Sequence, residues 1–347
     1  MFFSVLVLLS VAAHFVSASL DEEFAAFKLK HKKVYASADE EAARKQVFAA
    51  GLARIASRNN AAAARKASVR FAVNQFTDLE PAEFQKLYLT ANVTQQHTPT
   101  QARRLRNKYE RSWSAEKKAA VESVAQATSF IDWRQHGLVT RVKNQAQCGS
   151  CWAFSATEEI ESMLLKTYPS HYNNDTLALS PQQIVDCDGT SAGCGGGLTE
   201  SAWDYVISAG GIESNASYPY KAVDQQCAFD ASKVVATIKS YTAATSWYSE
   251  TELLTTLVKE GPVSICLDAS SWQDYSSGVM DRLECAWIDQ LDHCVQLVGY
   301  NAKGPNGVAY WMVRNSWTTS WGIEGYIWLE YGWDVCGLAN DANFVVV

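Results

Sequence analysis

The chain has 347 residues, 48% of them hydrophobic and 12% aromatic, with a formal net charge of −7. That is enough apolar mass to bury a core divided into more than one folding unit, and it excludes collagen-like and wholly disordered chains. The charge is uneven: residues 1–126 hold 19 Lys and Arg against 12 Asp and Glu, whereas residues 127–347 hold 11 against 25. The two parts should attract each other, and the acidic part is a poor nucleic-acid binder because phosphate affinity rests on clustered cations.

The chain opens with MFFSVLVLLSVAAHFVSAS, an apolar run that ends in small residues. It reads as a signal peptide, residues 1–18, cut after about Ala18, although no Lys or Arg precedes the run. It is too short to span a bilayer, and no later stretch approaches about 18 uninterrupted apolar residues, so no membrane span is expected. Export changes the reading of the nine cysteines, because an oxidising compartment lets disulfides persist. All nine follow residue 147, so residues 19–126 must fold without covalent staples. Their odd number leaves at least one thiol without an intramolecular partner. Asn92, Asn174 and Asn215 open glycosylation sequons, surface positions in an exported protein.

From Leu20 to about Ala64, Phe24, Phe27, Val34, Val47, Phe48, Leu52 and Ile55 recur at helical spacing, predicting two helices with a turn near Tyr35 to Asp39. RFAVNQFTDL, residues 70–79, alternates apolar and polar side chains and predicts a short strand or extended turn. Residues 91–128 carry many basic residues and few apolar anchors, and read as an extended, protease-accessible linker. CWAFSATEEIESMLLK, residues 151–166, predicts a buried helix with acids in its early turns. The glycine cluster 193–197 marks a loop whose backbone can approach a neighbour closely. From about residue 234, runs such as PVSICL, HCVQLVGY, AYWMVRNSW and GYIWLEY predict a barrel-like β lobe.

QAQCGSCWAF, residues 145–154, sets Cys148 and Cys151 three positions apart. As a zinc clip the pair would need Cys187 and Cys194, whose spacing is wrong for a ribbon. As a redox pair it would want a preceding βαβ pattern that is absent. As a nucleophile, Cys151 needs a base. Of the six histidines only His293, in LDHCVQLVGY, opens a strand-like run in the second lobe, and RNSWTTSWGIEGY, residues 314–326, adds Asn315 between an arginine and a tryptophan.

With these motifs the sequence resembles the papain-like cysteine proteases of the cathepsin L type, written as a full prepro-zymogen. The resemblance implies an α+β, two-lobe fold: an inhibitory helical propeptide at 19–126, a helical lobe at 127–237 carrying the nucleophile, and an antiparallel β-barrel lobe at 238–347 carrying His and Asn. It makes Cys151 the nucleophile, His293 its base, Asn315 the group orienting the imidazole, and Gln145 a side-chain oxyanion donor. The chemistry has a physical reason. A helix N-terminus and an adjacent imidazolium lower a thiol's pKa by several units, and preorganised donors stabilise the tetrahedral oxyanion by about 3 kcal/mol each. Trp317 would shield the His293–Asn315 hydrogen bond. No cofactor or metal is called for.

The resemblance also implies the disulfides Cys148–Cys194, Cys187–Cys227 and Cys285–Cys336. Cys266 and Cys294 are left over as buried thiols, placed by position in the main specificity pocket. Gly196, Gly197, Leu198, Thr199, Leu291, Asp292, Asp341 and Trp317 are assigned to substrate binding with them. Asp341 falls at the floor of the pocket for the second residue before the scissile bond, which predicts that Arg is accepted there increasingly as pH rises. In the amino-terminal region Glu40, Arg44, Phe48, Ile55 and Asn59, followed by Asn74, Phe76 and Asp78, match the two propeptide motifs. Gly51 and Ala72 depart from them, as do Thr318 and Gly195 from the domain's own motifs. The absence of a paired-histidine loop points to an endopeptidase. Expected partners are protein and peptide substrates, the propeptide and cystatin-like inhibitors, with a monomeric state and a lysosome- or vacuole-like or extracellular address. A catalytically silent binding protein on the same fold, and a redox protein in which Cys148 and Cys151 pair, are the alternatives.

Overall fold

The computed structural model describes residues 20–89, 99–246, 248–285 and 290–347. The proposed signal peptide and the Asn92 sequon lie outside the described residues.

Two helices open the described chain, α1 over 20–31 and α2 over Ala38–Ala64. Ser37 caps α2, its Oγ accepting from Glu40 N–H, and Glu40 Oε2 reaches back to accept from the N–H of Ala36, just ahead of the cap, at 2.6 Å. Phe24, Phe27 and Phe48 form a small core between the two helices. Gly51 has a reason to depart from the motif, because a Cβ there would lie 2.7 Å from both the Thr77 carbonyl and its methyl. Strand β1 (Arg70–Phe71) and helix α3 (Pro81–Tyr88) follow. Arg44 ties them back to α2, donating to both Glu83 carboxylate oxygens and to the Asp78 carbonyl.

Of the stretch 91–128 read as an extended linker, residues 91–98 lie outside the described residues, and most of the rest is instead helical. Helix α4 spans Pro99–Arg111 and α5 spans Ala115–Ala127, the latter capped by Ser114. The low apolar content misled the reading, because these helices are held largely by polar and aromatic side chains, with Val121 as one buried apolar anchor.

The next lobe is built on α6 (Cys151–Thr167), with α7 (Pro181–Cys187) and α8 (Thr199–Ala209) against it and the small pair β3 (Ile212–Glu213) and β4 (Val234–Ala236) at its edge. Its core gathers Trp152, Ile160, Leu164, Ile184, Trp203 and Val206. The acids of α6 do not serve its first turn. Glu158, Glu159 and Glu161 are all buried: Glu158 and Glu159 face Arg314 and Gln296 across the lobe boundary, and Glu161 meets Thr140 and Lys143 of its own lobe.

The second lobe is an eight-stranded sheet. It contains β5 (Ser240–Ala243), β6 (Val263–Leu267), β8 (Val279–Met280), β9 (His293–Asn301), β10 (Tyr310–Arg314), β11 (Tyr326–Glu330) and β12 (Asp341–Val346), in the order β5-β12-β6-β9-β10-β11-β8. The eighth strand, β2 (Phe130–Asp132), comes from the segment assigned to the helical lobe and pairs with the end of β9. Helix α9 (Glu250–Glu260) buries Leu253, Leu254 and Leu257 against this lobe's core. Strand β7 (Tyr275–Ser277) leaves the sheet to pair with β1, so the amino-terminal region extends the second lobe by one small strand pair. Arginines of α2 add ion pairs to the same surface: Arg54 with Asp274, Arg58 with Glu284, and Arg65 with Asp281 and Glu284.

Candidate active site

Cys151 is the first residue of α6 and is fully buried. The loop before it is fastened twice to the glycine cluster, by the Cys148–Cys194 disulfide and by Gly149 N–H donating to the Cys194 carbonyl at 2.9 Å. Gly197 has to be glycine, since a Cβ would sit 2.6 Å from the Trp152 ring. Trp152 in turn anchors α6 through Nε1 to the Gly193 carbonyl.

Four disulfides are present: Cys148–Cys194, Cys187–Cys227, Cys266–Cys294 and Cys285–Cys336. Cys266 and Cys294 were expected as thiols, and that is corrected. They are direct cross-strand neighbours on β6 and β9, with Cα atoms 4.0 Å apart. Cys151 is the one cysteine outside a disulfide. Because Cys148 pairs with Cys194, neither the Cys148–Cys151 redox pair nor the zinc clip is formed.

His293 opens β9 opposite Leu267 and is fully buried. Its Nε2 lies 2.8 Å from Asn315 Oδ1. That oxygen also accepts from the Ser316 backbone N–H at 2.8 Å, which identifies it as the amide oxygen and makes Nε2 the protonated nitrogen. Nδ1 therefore carries the lone pair, and it has no hydrogen-bond partner within the protein. Trp317 stacks on the imidazole with centroids 4.7 Å apart, and Trp272 meets it edge-on at 6.0 Å. Burial pushes the His293 pKa down to about 4, opposed by the hydrogen bond to Asn315.

Gln145 is oriented the same way. Its Oε1 accepts from Trp317 Nε1 at 3.1 Å and from Ser316 Oγ at 2.6 Å, which leaves Nε2 to donate to the Cys148 and Tyr88 carbonyls, each at 3.2 Å. Tyr88 belongs to the amino-terminal region, and that region covers the site. Phe76, Phe84 and Tyr88 all meet Trp317 edge-on, and Gln75 Nε2 donates to the Trp317 carbonyl. Across the same boundary Asn74 Nδ2 donates to the Gln273 carbonyl, and Gln273 Nε2 donates to the Phe76 and Leu79 carbonyls. Asp78 instead works inside the region, accepting from Lys33 and Tyr35, while Asn59 brackets Phe71 through its N–H and carbonyl. Phe48 and Ile55 are in its core.

The substrate-pocket candidates gather at one end of the sheet. Asp341 on β12 pairs with Cys266, and Cys266 with Cys294, so one row crosses three strands. Asn343 Nδ2 donates at 2.7 Å to both Asp341 Oδ1 and Glu200 Oε1. Burial, then the nearby Glu200 carboxyl, hold the Asp341 carboxyl well above the usual range. Glu200 was missed in the sequence, where it is one more acid on a helix. Leu198 is the N-cap residue of α8, Thr199 is buried, and Leu291 is buried in the same cluster as Cys266 and Cys294. Asp292 is spent locally, accepting from Ala269 N–H at 2.8 Å, and burial plus Asp268 raise its pKa to about 8. The two described sequon asparagines, Asn174 and Asn215, are both half-buried, and the Asn215 amide oxygen accepts from Tyr220 N–H.

Residues 127–346 match the family described as papain family cysteine protease, and residues 24–84 match the cathepsin propeptide inhibitor domain. The chain belongs to the papain family of cysteine proteases. It is 36% identical to "Cysteine proteinase 1" of Dictyostelium discoideum, over 99% of this chain and 98% of that one. It is also 36% identical to "Cathepsin L1" of Drosophila melanogaster, over 94% and 85%. Among solved structures, digestive procathepsin L2 proteinase from the Tenebrio molitor larval midgut superposes with a TM-score of 0.80 at 31% identity, covering 94% of this chain and all of the other. This papain-family peptidase is therefore a cathepsin L-type zymogen, its propeptide acting as an intramolecular inhibitor, on the expected two-lobe fold.

Proposed function

We propose that the mature domain is an endopeptidase that cleaves peptide bonds through a Cys151 thiolate and a His293 imidazolium, forming an acyl-enzyme. The observation that carries this reading is the Asn315 contact, which fixes the His293 proton on Nε2 and leaves Nδ1 as the base. Cys151 at the start of α6 gains from the helix dipole. Attack on the substrate carbonyl puts negative charge on its oxygen, which the Gln145 amide and the Cys151 N–H receive. His293 then gives its proton to the leaving amine, and water releases the acyl group. Trp317 keeps water from the His293–Asn315 hydrogen bond.

Propeptide cover disfavours the ion pair, because a buried imidazole resists charging. Clearing the cleft rehydrates His293, raises its pKa and lets the thiol transfer its proton. Acid weakens the propeptide's hold by neutralising carboxylates that face its cations, and maturation cuts near residues 125–128. The pocket walled by the Cys266–Cys294 disulfide, Leu198, Thr199 and Leu291 takes the second residue before the scissile bond, apolar or Arg, with Asp341 at its floor and Gly196 and Gly197 along the substrate backbone. The setting is the secretory pathway, ending in a lysosome- or vacuole-like compartment or outside the cell. The enzyme acts as a monomer open to cystatin-like inhibitors.

The test is hydrolysis of a fluorogenic Phe-Arg amide by the zymogen after acidification with thiol reductant. Activity should emerge and be absent in Cys151→Ala. A correctly processed but silent mature chain would favour a binding protein on the same fold.

A further inference from the structure

We infer a second docking surface for the propeptide, outside the cleft: the amino-terminal end of α9 together with Trp333, whose partner is the helical hairpin α4–α5, and whose occupation shields the bonds cut in maturation. The inference rests on the reading of residues 19–126 as a propeptide removed near residues 125–128.

The contacts are specific and lie on one side of the domain. Lys117 Nζ donates to Glu252 Oε1 at 2.7 Å and to the Tyr109 hydroxyl at 2.8 Å, while the ring of Trp113 lies beneath the same ammonium. Ser249, the cap of α9, donates to Glu110 at 2.7 Å. Arg106 sits 3.6 Å from the buried Glu250 carboxylate, which also accepts from Trp311 Nε1 and the backbone N–H groups of Gly332 and Asp334. Trp333 is stacked by Arg282 of the domain and approached by Arg103 of α4. None of these groups touches Cys151, His293, Asn315 or Gln145 in the contacts described. Cationic and aromatic side chains on the hairpin thus meet carboxylates on α9, the complementarity expected of a built interface.

Position along the chain gives the surface its consequence. The bonds between Ala125 and Thr128 lie in the last turn of α5 and its cap, where Thr128 N–H and Oγ both bond the Val124 carbonyl. Backbone held in a docked helix is not presented to a protease until it opens locally. Releasing the propeptide from the cleft is then insufficient for maturation, because the hairpin must also leave α9.

The experiment changes only propeptide residues, so every variant yields the same mature enzyme. Wild type, Lys117→Glu, Arg106→Ala and the conservative Lys117→Arg zymogens are held at pH 5 with reductant, and loss of the full-length chain is followed on gels with N-terminal sequencing. Lys117→Glu and Arg106→Ala should mature at least threefold faster, and Lys117→Arg at the wild-type rate. On a Cys151→Ala background, hydrogen exchange should rise in α5 and stay unchanged in α2. Wild-type rates in both disruptive variants, or exchange rising equally in α2, would overturn the second surface. A wild-type zymogen that never matures under these conditions would overturn the zymogen reading and this inference together.

Discussion

The Gln145 side-chain amide donates to the Tyr88 carbonyl at 3.2 Å, so a propeptide peptide group rests where the amide of the domain points into the cleft. If that amide receives the oxyanion, Gln145→Ala in the mature enzyme should lower kcat by about a hundredfold with little change in KM, because the contact strengthens only as charge develops. Steady-state kinetics on a single peptide amide measure the split. An effect confined to KM would remove Gln145 from the transition state.

Asp341 and Glu200 share Asn343, and burial with mutual repulsion raises the Asp341 carboxyl well above its usual range. If Asp341 lies at the floor of the proposed pocket, that carboxyl is neutral in acid and gains charge as pH rises. The ratio of kcat/KM for Arg over Leu at the second position before the cleaved bond should climb severalfold between pH 5 and 7. Asp341→Asn should make it flat.

Burial raises Glu159 to about 8 and, with Glu250 nearby, Asp334 to about 7. Unfolded carboxyls titrate near 4. Between those limits the native chain holds protons that the unfolded chain has released. This stabilisation is complete below the unfolded pKa and is lost as pH rises through the folded values. His293 works in the opposite sense, its contribution being lost as pH falls from about 6.5 toward 4. Above pH 6.5 the acids alone set the slope. Melting of the Cys151→Ala zymogen should thus fall between pH 6.5 and 8, and Glu159→Gln should shrink that fall, at up to about 1.4 kcal/mol per pH unit.

Thr318 is a β-branched residue with φ +68°, and its hydroxyl is engaged only at the surface with Ser320. Thr318→Gly should raise stability by about 1 kcal/mol. Gly51→Ala should do the reverse within the propeptide, forcing α2 off the Thr77 turn. Its zymogen should leak activity at neutral pH, read as amide hydrolysis before any acid treatment.

Cys151, His293 and Asn315 were legible because each begins or ends an element with its own pattern: an apolar helix, a β-branched run, and a strand closing on Asn-Ser-Trp. The Cys266–Cys294 bond was not, since it depends on the register of two strands separated by the segment that contains β7 and β8. Helices α4 and α5 were hidden because their partners are polar groups on α9, which leave no apolar periodicity to read. The buried acids of α6 looked like ordinary helix-start charges, because only the folded chain brings Arg314 and Gln296 against them.

Strand β12 is inserted between β5 and β6, beside the strand that pairs with His293's own. No ribosome can therefore complete this sheet before it has made the chain as far as Val346, whereas α1 to α3 emerge long before. On each newly made molecule the segment that forms the cover is synthesised ahead of the site it covers. The order of the chain itself thus sets inhibitor before site, ahead of any part played by compartment or acidity.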